Sequence, residues 1–518
     1  MSFRQSRNFG RGTNDEESKS KLCEICVKRK MKNLNNISNN LTIIKTYGKT
    51  DMLINKINFD SRKVSKNDIF VAQKGLQFNG HDYIEKAIQN GATVIVFDDK
   101  DYKVNPDEVD NGITFLQVNN SDEALAIIAS NYYDNPSKKL KLIGITGTNG
   151  KTTIATLLYN LFKKAGFKVG LLSTVVIKID DAAIEATHTT PNSLSLNKYL
   201  ATMVESGVTH CFMEVSSHGI HQKRTSGLYF YGGVFTNLTH DHLDYHKTFA
   251  EYRDVKKKFF DDLPKSAFAL VNIDDKNGEV MLQNTKANKQ TYALKTMADF
   301  KVRIIENQMS GLLLQINNKE VWSKLIGSFN AYNLAAIFGV ATLLDLEELE
   351  TLRIISELNS VSGRFQYTIS DSGITAIVDY AHTPDALKNV LETINDIKTN
   401  GEKVITVVGC GGDRDKTKRP KMGNIASQLS DQVIFTSDNP RTEDPDTIIE
   451  QMEEGVTKEN TKKTLSITNR KQAIKTASKL AKKGDILLIA GKGHETYQEI
   501  NGVKNDFDDY KIVQEMLS

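Results

Sequence analysis

The amino-acid sequence predicts an α/β protein of three domains, and three observations support this fold class. The chain has 518 residues, which is too long for one core, because single hydrophobic cores stop growing at about 250–300 residues. Apolar runs typical of strands alternate with segments of helical periodicity along most of the chain, as in mainly parallel sheets. A glycine-rich turn at residues 144–153 separates one such strand from one such helix. We therefore predict a small N-terminal α/β domain, a central P-loop ATPase domain with a mainly parallel sheet, and a C-terminal Rossmann-like doubly wound domain.

The boundaries of these domains follow from shifts in composition and pattern. Residues 1–30 are polar and charged and are expected to form a disordered tail. We place the first domain at 31–137, the central domain at 138–362 and the C-terminal domain at 363–518.

Composition excludes several classes of protein. The 67 basic residues nearly balance 64 acidic ones, whereas binders of nucleic acid and of membrane surfaces usually carry a basic excess. No apolar run reaches the roughly 20 residues of a membrane-spanning helix, so we expect no membrane insertion. The four cysteines are scattered, and the pair Cys23 and Cys26 lacks two further nearby ligands for a structural zinc ion. We expect a monomeric protein of the reducing cytoplasm.

The first domain shows the alternating pattern on a small scale. Its predicted strands are 68–72, 93–97 and 113–118, and its predicted helices are 83–90 and 123–133. Two loops have unusual composition: Asp-Ser-Arg at 60–62, and the glycine- and asparagine-containing loop at 75–81. Either loop fits simple turn chemistry as well as ligand binding, and the sequence leaves this open.

The turn at 144–153 has the composition of a phosphate-binding loop. It follows a predicted strand at 140–145 and precedes a predicted helix at 154–165. Backbone N–H groups and the helix dipole at such a turn attract phosphate. Lys151 is placed to reach the outer phosphates, and the hydroxyl of Thr152 to ligate the Mg²⁺ that accompanies ATP. Ile145 stands where the usual P-loop spacing has glycine, but the remaining pattern predicts a nucleotide-binding site.

Histidine and acidic residues cluster in the predicted central domain. The segment 239–246 contains three histidines and two aspartates between a predicted strand, 233–237, and a predicted helix, 249–260. This composition suits a metal or phosphate site, and it equally suits a polar turn at a helix entry. Glu214 ends another apolar strand, where P-loop enzymes often keep a carboxylate for Mg²⁺.

The C-terminal domain alternates again. Its predicted strands are 375–378, 404–408, 432–435 and 485–489, and its predicted helices are 384–397, 447–454, 471–481 and 508–517. Polar loops follow the four strands, at 379–382, 409–414, 437–441 and 491–495, and two of them contain glycine. Ligands of doubly wound sheets bind beyond the carboxyl ends of the strands, so these loops predict a binding face.

Twelve motifs occur in one order along the chain. They are DSR (60–62), TGTNGKTT (146–153), THTTPNS (187–193), EVSSH (214–218), NLTHDHLDYH (237–246), YRDVKKKFF (252–260), GSFNAYNLAAI (327–337), SGRF (362–365), DYAHTPDAL (379–387), GCGGDRDKTKRPKMG (409–423), DNPRTEDP (438–445) and AGKGHE (490–495). In this order they resemble the motifs of the Mur ligases, the ATP-dependent amino-acid ligases of peptidoglycan synthesis. The resemblance covers residues 31–518; TGTNGKTT alone would indicate only the wider superfamily that includes folylpolyglutamate synthases.

The resemblance implies a reaction. ATP would phosphorylate the D-glutamate γ-carboxylate of UDP-N-acetylmuramoyl-L-alanyl-D-glutamate, and the amine of an incoming amino acid would attack the acyl phosphate. Mg²⁺ would neutralise the charge that builds up between the anionic reactants.

The resemblance also implies roles for individual residues. Those for catalysis are Lys151, Glu214, His242 and Lys256; Thr152, Glu214, His242 and Lys256, the last as a carbamate, would serve Mg²⁺. Those for ATP are Gly147, Thr148, Asn149, Gly150, Lys151, Thr152, Thr153, Asn333, Arg364 and Asp379. Those for the UDP-muramoyl-dipeptide are Ser61, Leu76, Gln77, Phe78, Thr189, Thr190, Ser216, Gln222 and Arg224. Those for the incoming amino acid are Arg414, Asp438, Asn439, Pro440, Arg441, Gly491 and Glu495.

Arginine 441 predicts which amino acid is added. By resemblance, it stands where family members that add meso-diaminopimelate differ from those that add L-lysine. A guanidinium binds a carboxylate through two hydrogen bonds, and only diaminopimelate carries a carboxylate at its far end. The sequence therefore favours meso-diaminopimelate over L-lysine.

Two other functions are alternatives. A folylpolyglutamate synthase would share the P-loop and the ligase chemistry, but it would lack the DSR domain and the DNPR motif. A P-loop switch or motor ATPase would need a mobile effector surface, and it would give the C-terminal loops no role. Phosphate release that depends on both the nucleotide substrate and an amino acid separates a ligase from a switch.

Overall fold

The computed structural model describes residues 30–75, 78–399 and 401–518. The chain forms two compact units, residues 1–144 with 166–233, and residues 145–165 with 234–518. The predicted tail, apart from Lys30, lies outside the described residues, and so do Cys23, Cys26, Leu76 and Gln77. The domain boundaries at 137 and 362 stay a prediction.

The first unit contains a five-stranded sheet with helices packed on it. In spatial order its strands are Ile43–Tyr47, Thr114–Val118, Ala92–Phe97, Asp68–Val71 and Ile57–Asn58. All neighbours are parallel except the first pair. The helices of this part are Leu34–Ile37, Ile84–Gln89, Pro106–Asp110 and Ser121–Tyr132, and Lys32–Asn33 pairs with Leu53–Ile54. The three central strands are buried on both faces, which explains their continuous apolar runs.

The remainder of the first unit surrounds the strand His210–Glu214. This strand runs parallel to Val169–Leu172, and the hairpin Val176–Ile179 and Ala182–Glu185 continues antiparallel from there. The helices are Ser193–Glu205 and Ser217–His221, and the strands Lys141–Thr146 and Gly232–Phe235 lie at the unit boundary. The sequence pattern did not predict the hairpin.

The second unit begins with the helix Lys151–Lys164. Phe268–Asn272, Asn288–Ala293 and Phe300–Gln308 are parallel neighbours, and Gly311–Ile316 and Lys319–Ser323 follow antiparallel. The helices are Leu243–His246, Phe249–Asp261, Gly278–Leu282, Ser328–Leu343 and Glu348–Glu357. Ser328–Leu343 is apolar almost all round and largely buried, so it lacks the one-sided periodicity by which helices are predicted.

The second unit ends in a six-stranded sheet. Its spatial order is Gln366–Ile369, Thr375–Asp379, Ile486–Ala490, Val404–Val408, Gln432–Phe435 and Thr464–Ser466, with only the first strand antiparallel. The helices are Pro384–Ile397, Lys418–Leu429, Pro445–Glu453, Arg470–Leu480 and Asp509–Leu517, and a separate hairpin joins Tyr497–Ile500 to Val503–Asp506. This is the predicted doubly wound sheet, and its four polar loops follow the carboxyl ends of parallel strands.

Helix starts in this sheet follow the local sequence. The Thr383 side chain accepts a hydrogen bond from the Ala386 backbone N–H, and the Asp444 side chain accepts one from the Thr447 backbone N–H. In both helices the first residue after the cap is proline. A side-chain oxygen at the N-cap satisfies an otherwise unpaired N–H, and proline at the first helical position loses no hydrogen bond. The sequence therefore specifies where these helices begin.

One buried ion pair ties the C-terminal helix to the rim of the sheet. The Arg470 guanidinium donates two 2.8 Å hydrogen bonds to the Asp509 carboxylate and another to the Ala490 carbonyl. Both charged side chains are fully buried.

Replacing Arg470 with alanine should destabilise this sheet by about 3–5 kcal/mol, because Asp509 becomes a buried, unpaired charge. Hydrogen exchange of the strand Ile486–Ala490 at equilibrium measures the loss. Lys471→Ala is the matched control, since its exposed ion pair with Glu515 has an N–O distance of 3.9 Å and its removal should cost under about 0.5 kcal/mol. Equal protection in both variants would contradict this prediction.

In the described part of the chain, no helix combines the length and the apolar composition that crossing a membrane requires.

Candidate functional site

The glycine-rich turn forms the centre of the candidate site in the second unit. Gly147 has φ of 149°, and a Cβ there would stand 1.9 Å from Thr236 Oγ1. Gly150 has φ of 89°, and a Cβ there would stand 2.8 Å from Asn333 Oδ1. Only glycine fits these two positions without displacing a neighbour. The helix begins at Lys151, three residues earlier than the sequence pattern predicted, so its first N–H groups belong to the loop, as phosphate binding requires.

Lys151 lies folded against its own loop. Its Nζ donates to the carbonyl oxygens of Gly147, at 2.9 Å, and of Thr148, at 2.6 Å. The ammonium group is therefore held beside the phosphate-binding turn. Thr153, two residues further on, is buried in the first helical turn.

Residues far along the chain contact the same turn. Arg364 Nη2 donates to Thr152 Oγ1 at 3.2 Å, and Asn149 Nδ2 donates to Asp385 Oδ2 at 3.1 Å. Asn333 approaches Gly150 from the helix Ser328–Leu343. The structure thus brings Asn333 and Arg364, both predicted nucleotide contacts, to the P-loop.

Asp379 lies in a buried position behind Arg364. Its Oδ2 accepts a 2.6 Å hydrogen bond from the Phe365 backbone N–H. Burial raises the pKa of Asp379 to about 6, although the nearby Arg364 charge opposes the shift. The Arg364 guanidinium lies 4.6 Å from the centre of the Tyr380 ring, so the arginine is held between this ring and the P-loop threonine.

Lys256 is fully buried beneath the P-loop. Its Nζ donates to the Gly147 carbonyl at 2.9 Å and lies 4.8 Å from the centre of the Tyr252 ring. Burial lowers the pKa of Lys256 well below its usual value, and the positive charge of Lys151 lowers it further. The neighbouring lysines differ, since Lys257 and Lys258 pair with Asp261 and Asp262. The solvated-lysine interpretation therefore fits Lys257 and Lys258 but not Lys256.

His242 and Asp241 also lie near Tyr252. His242 has φ of 54°, its Nε2 lies 3.5 Å from Asp241 Oδ2, and its ring centre lies 6.2 Å from that of Tyr252. Burial raises the pKa of Asp241, but the charges of His242, His382 and Lys151 outweigh it, so the net shift is downward.

Among the residues that the structure describes, no group of three or more His, Cys, Asp or Glu side chains could hold a metal ion. Thr152 and His242 lie in the second unit, whereas Glu214 lies in the first.

A polar cluster in the first unit contains most of the residues predicted for the dipeptide. Thr190 Oγ1 donates to the Glu214 carbonyl at 3.0 Å and accepts from the Ser216 backbone N–H at 3.0 Å. Arg224 donates to the Thr190 carbonyl at 2.6 Å and to Gln222 Oε1. Thr174 connects Thr189 to this cluster: its Oγ1 donates a hydrogen bond to Thr189 Oγ1, and its backbone N–H donates to Glu214 Oε1 at 2.7 Å. The structure thus brings these predicted residues together.

The residues predicted for the uridine are less closely grouped. Ser61 is buried, and Asn90 Nδ2 donates to its carbonyl. Asp60 caps the short helix Ser61–Lys63 and pairs with Arg62, so turn chemistry explains that part of the DSR motif. Phe78 is 69% exposed, one of several large apolar side chains at the surface.

The residues predicted for the amino acid surround the rim of the C-terminal sheet. Arg441 Nη1 donates to the Gly412 carbonyl at 2.7 Å, and its Nε lies 3.5 Å from Glu499 Oε2. Asn439 Nδ2 donates to Glu495 Oε2 at 2.7 Å. A Cβ at Gly491 would stand 2.6 Å from Asp438 Oδ2, so glycine permits this close approach. Pro440 lies between Asn439 and Arg441, and Arg414 is exposed.

Several residues of the site escaped prediction from the sequence. Tyr252, Lys492 and Glu499 contact Lys256, Glu495 and Arg441 respectively. Tyr252 stands in the motif YRDVKKKFF and Lys492 in the motif AGKGHE, and these positions were the available signals. Glu499 follows in a hairpin without a motif, so only the structure reveals it.

A phosphate-binding turn in the same unit as a doubly wound sheet defines the class of P-loop nucleotide-binding α/β proteins. Three segments of the chain match domains of one family within this class. Residues 53–133 match the Mur ligase family catalytic domain, residues 145–341 the Mur ligase middle domain, and residues 363–493 the Mur ligase glutamate ligase domain.

Curated relatives and a solved structure agree with these matches. The UDP-N-acetylmuramoyl-L-alanyl-D-glutamate–2,6-diaminopimelate ligase of Cytophaga hutchinsonii is 55% identical over 92% of this chain and 97% of its own length. The protein of the same name from Bacteroides thetaiotaomicron is 53% identical over 94% of this chain and 100% of its own. A solved structure of a ligase of that name is 31% identical, with a TM-score of 0.67, over 94% of this chain and 99% of its own. The chain belongs to the Mur ligase family, and it is an ATP-dependent ligase that forms an amide bond.

Proposed function

We propose that this enzyme adds meso-diaminopimelate to the D-glutamate γ-carboxylate of UDP-N-acetylmuramoyl-L-alanyl-D-glutamate, in peptidoglycan biosynthesis. The observation that carries the proposal is the position of Arg441, whose guanidinium is held at the rim of the C-terminal sheet by Gly412 and Glu499. The relatives at 55% and 53% identity carry the name of this activity. We further propose that the enzyme is a cytoplasmic monomer with domains at 31–137, 138–362 and 363–518.

The P-loop provides the site for ATP. Backbone N–H groups of residues 147–153 bind the phosphates, and the Lys151 ammonium stabilises charge that develops on the transferred phosphoryl group. Asn333 and Arg364 contact the nucleotide, and Asp379 fixes the ribose.

The residues that would hold Mg²⁺ are Thr152, Glu214, His242 and Lys256, the last as its carbamate. When bound, Mg²⁺ neutralises phosphate charge. The donor set suits this ion, because hydroxyl and carboxylate oxygens are its preferred ligands. Lys256 suits carbamate formation, because only a neutral amine attacks CO₂ and its pKa is strongly lowered.

The first unit holds the acceptor substrate. Ser61 and the loop 76–78 bind the uridine, and Thr189, Thr190, Ser216, Gln222 and Arg224 bind the muramoyl-dipeptide. The hydrogen bonds from Arg224 to Thr190 and from Ser216 to Thr190 fix these polar groups before the substrate arrives, which lowers the cost of ordering them on binding.

The amide bond forms in two steps. The γ-carboxylate oxygen attacks the terminal phosphorus of ATP, and ADP leaves. The neutral α-amine of diaminopimelate then attacks the acyl carbon and loses a proton, and the C–O bond breaks so that phosphate leaves with the oxygen. Arg414, Asp438, Asn439, Pro440, Arg441, Gly491 and Glu495 hold the amino acid for this attack, with Arg441 on the distal carboxylate and Glu495 on the distal ammonium.

A panel of amino acids tests the proposed function. Phosphate release is measured with ATP, Mg²⁺ and UDP-N-acetylmuramoyl-L-alanyl-D-glutamate, with meso-diaminopimelate, L-lysine, L-ornithine or no amino acid. We expect release only when the nucleotide substrate and meso-diaminopimelate are both present. Release without either of them would indicate a switch ATPase, and equal use of L-lysine would overturn the substrate assignment.

A further inference from the structure

Lys492 occupies a fully buried position in the loop between the strand Ile486–Ala490 and the hairpin. Its side chain is 0% exposed. Its Nζ donates to Asn439 Oδ1 at 3.0 Å and to Glu495 Oε2 at 3.0 Å, and it lies 5.6 Å from the centre of the Tyr497 ring. Lysine is almost never fully buried unless it is paired, and this ammonium is paired with the Glu495 carboxylate.

The two partners of Lys492 are themselves bonded to each other. Asn439 Nδ2 donates to Glu495 Oε2 at 2.7 Å, and Asn439 Oδ1 also accepts from the Glu499 backbone N–H at 2.9 Å. Both hydrogen bonds to the Glu495 carboxylate therefore end on Oε2. Within the described residues the structure has no hydrogen bond to Oε1, which is the oxygen left to meet a ligand.

Glu495 has charged neighbours of both signs. Asp438 repels its carboxylate, whereas Lys492 and Arg470 attract it. Arg470 is engaged with Asp509 through two hydrogen bonds, so Lys492 is the cation that is hydrogen-bonded to Glu495. An incoming ammonium group would give this carboxylate a second cationic partner.

We propose that Lys492 is a positioning residue for the amino-acid substrate. It holds Glu495 as an anion and fixes Asn439, so that Glu495 Oε1 accepts the distal ammonium of the substrate. Lys492 does not itself contact the substrate. This inference rests on the proposed function, because it takes the distal amino-acid centre of diaminopimelate as the ligand.

The charge environment of Glu495 makes the inference testable by pH. Burial raises the pKa of Glu495, repulsion by Asp438 raises it further, and Lys492 counteracts both. The groups that face Glu495 are Asp438, Asn439, Arg470, Lys492, Tyr380 and the adjacent His494. Removing the Lys492 charge shifts the pKa of Glu495 upward, so less of the anion exists at neutral pH, and raising the pH restores it.

The first test measures KM for meso-diaminopimelate in Lys492→Met, which keeps the length and apolar stem of the side chain. We expect KM for meso-diaminopimelate to rise at least about tenfold at pH 7, since the charged hydrogen bond from Lys492 to Glu495 is lost. KM for ATP should change less than about twofold. Between pH 7 and pH 9 the raised KM should fall towards the wild-type value, whereas the wild-type KM changes little. Lys504→Met is the control, because the Lys504 Nζ lies 4.1 Å from the centre of the same Tyr497 ring and Lys504 is exposed.

A double-mutant cycle separates positioning from folding. If Lys492 acts through Glu495, the double variant Lys492→Met with Glu495→Gln should bind meso-diaminopimelate no more weakly than Glu495→Gln alone. Its thermal stability should exceed that of Lys492→Met, because the Glu495 charge that Lys492 pairs with is removed as well.

Three outcomes decide the inference. An unchanged KM for meso-diaminopimelate in Lys492→Met overturns it, and so does a rise that is equal for all substrates and independent of pH. If wild-type enzyme in the same assay does not use meso-diaminopimelate, the proposed function fails instead.

Discussion

Replacing Lys256 with alanine is expected to lower kcat by about 10³-fold, the order found when a group that stabilises transition-state charge is removed. Lys256 lies beneath the P-loop, bonded to the Gly147 carbonyl, and its pKa is strongly lowered by burial and by Lys151. We propose that the deprotonated amine, which the lowered pKa favours, attacks CO₂, forms an N–C bond and loses a proton. The carbamate anion that results would be a ligand for Mg²⁺, and alanine cannot form it.

The experiment measures kcat in bicarbonate-supplied buffer, with Lys257→Ala as the control. Lys257 is adjacent on the same helix, but its ammonium is paired with Asp261 at 2.7 Å, and we expect near wild-type kcat. Added acetate or formate should partly restore the Lys256→Ala variant, because a small carboxylate replaces the carbamate. A ¹³C NMR carbamate signal from labelled bicarbonate should appear in the wild type and vanish in the variant. A kcat within about tenfold of wild type would contradict the carbamate.

The sequence predicted those parts of the structure that depend on residues close together in the chain. The P-loop turn, its strand and its helix lie within about 25 residues, and each element has its own pattern. Four strands and four helices of the C-terminal domain were predicted with boundaries within two residues, and caps such as Thr383 and Asp444 lie at the helix starts. The helix Lys418–Leu429, the strands Gln366–Ile369 and Thr464–Ser466 and the hairpin were not predicted. Local signals also placed the polar loops at one edge of the C-terminal sheet.

Features that depend on distant residues could not be predicted from these patterns. The buried position of Lys256 depends on the packing of its helix against the loop of Gly147, 109 residues earlier. The hairpin that carries Glu499 meets Arg441 only because two loops share the rim of one sheet. The helix Ser328–Leu343 carries no apolar stripe because it is buried on nearly all sides. Each of these features is a property of tertiary packing.

Preference for meso-diaminopimelate over L-lysine should depend on Arg441. The backbone of Arg441 is held on both sides: its N–H donates to the Glu499 carbonyl at 3.1 Å, and its carbonyl accepts from Asn501 at 2.7 Å. The guanidinium is fixed by the Gly412 carbonyl, at 2.7 Å, and by Glu499. A guanidinium held in this way is positioned to bind the distal carboxylate of diaminopimelate. The ammonium of lysine would instead meet a like charge, and the guanidinium would have no substrate carboxylate to bind.

Arg441→Ala is therefore expected to lower kcat/KM for meso-diaminopimelate by about 10³-fold, because a site built to bind a charged group loses that binding energy in full. The loss for L-lysine should be much smaller, since lysine gains nothing from the guanidinium, so the ratio of the two kcat/KM values collapses. Arg353→Ala is the control, because this arginine pairs with Glu350 and Glu357 on an exposed helix surface and should leave the ratio unchanged. If the ratio of kcat/KM for meso-diaminopimelate to kcat/KM for L-lysine were the same in Arg441→Ala as in the wild type, another group would bind the distal carboxylate.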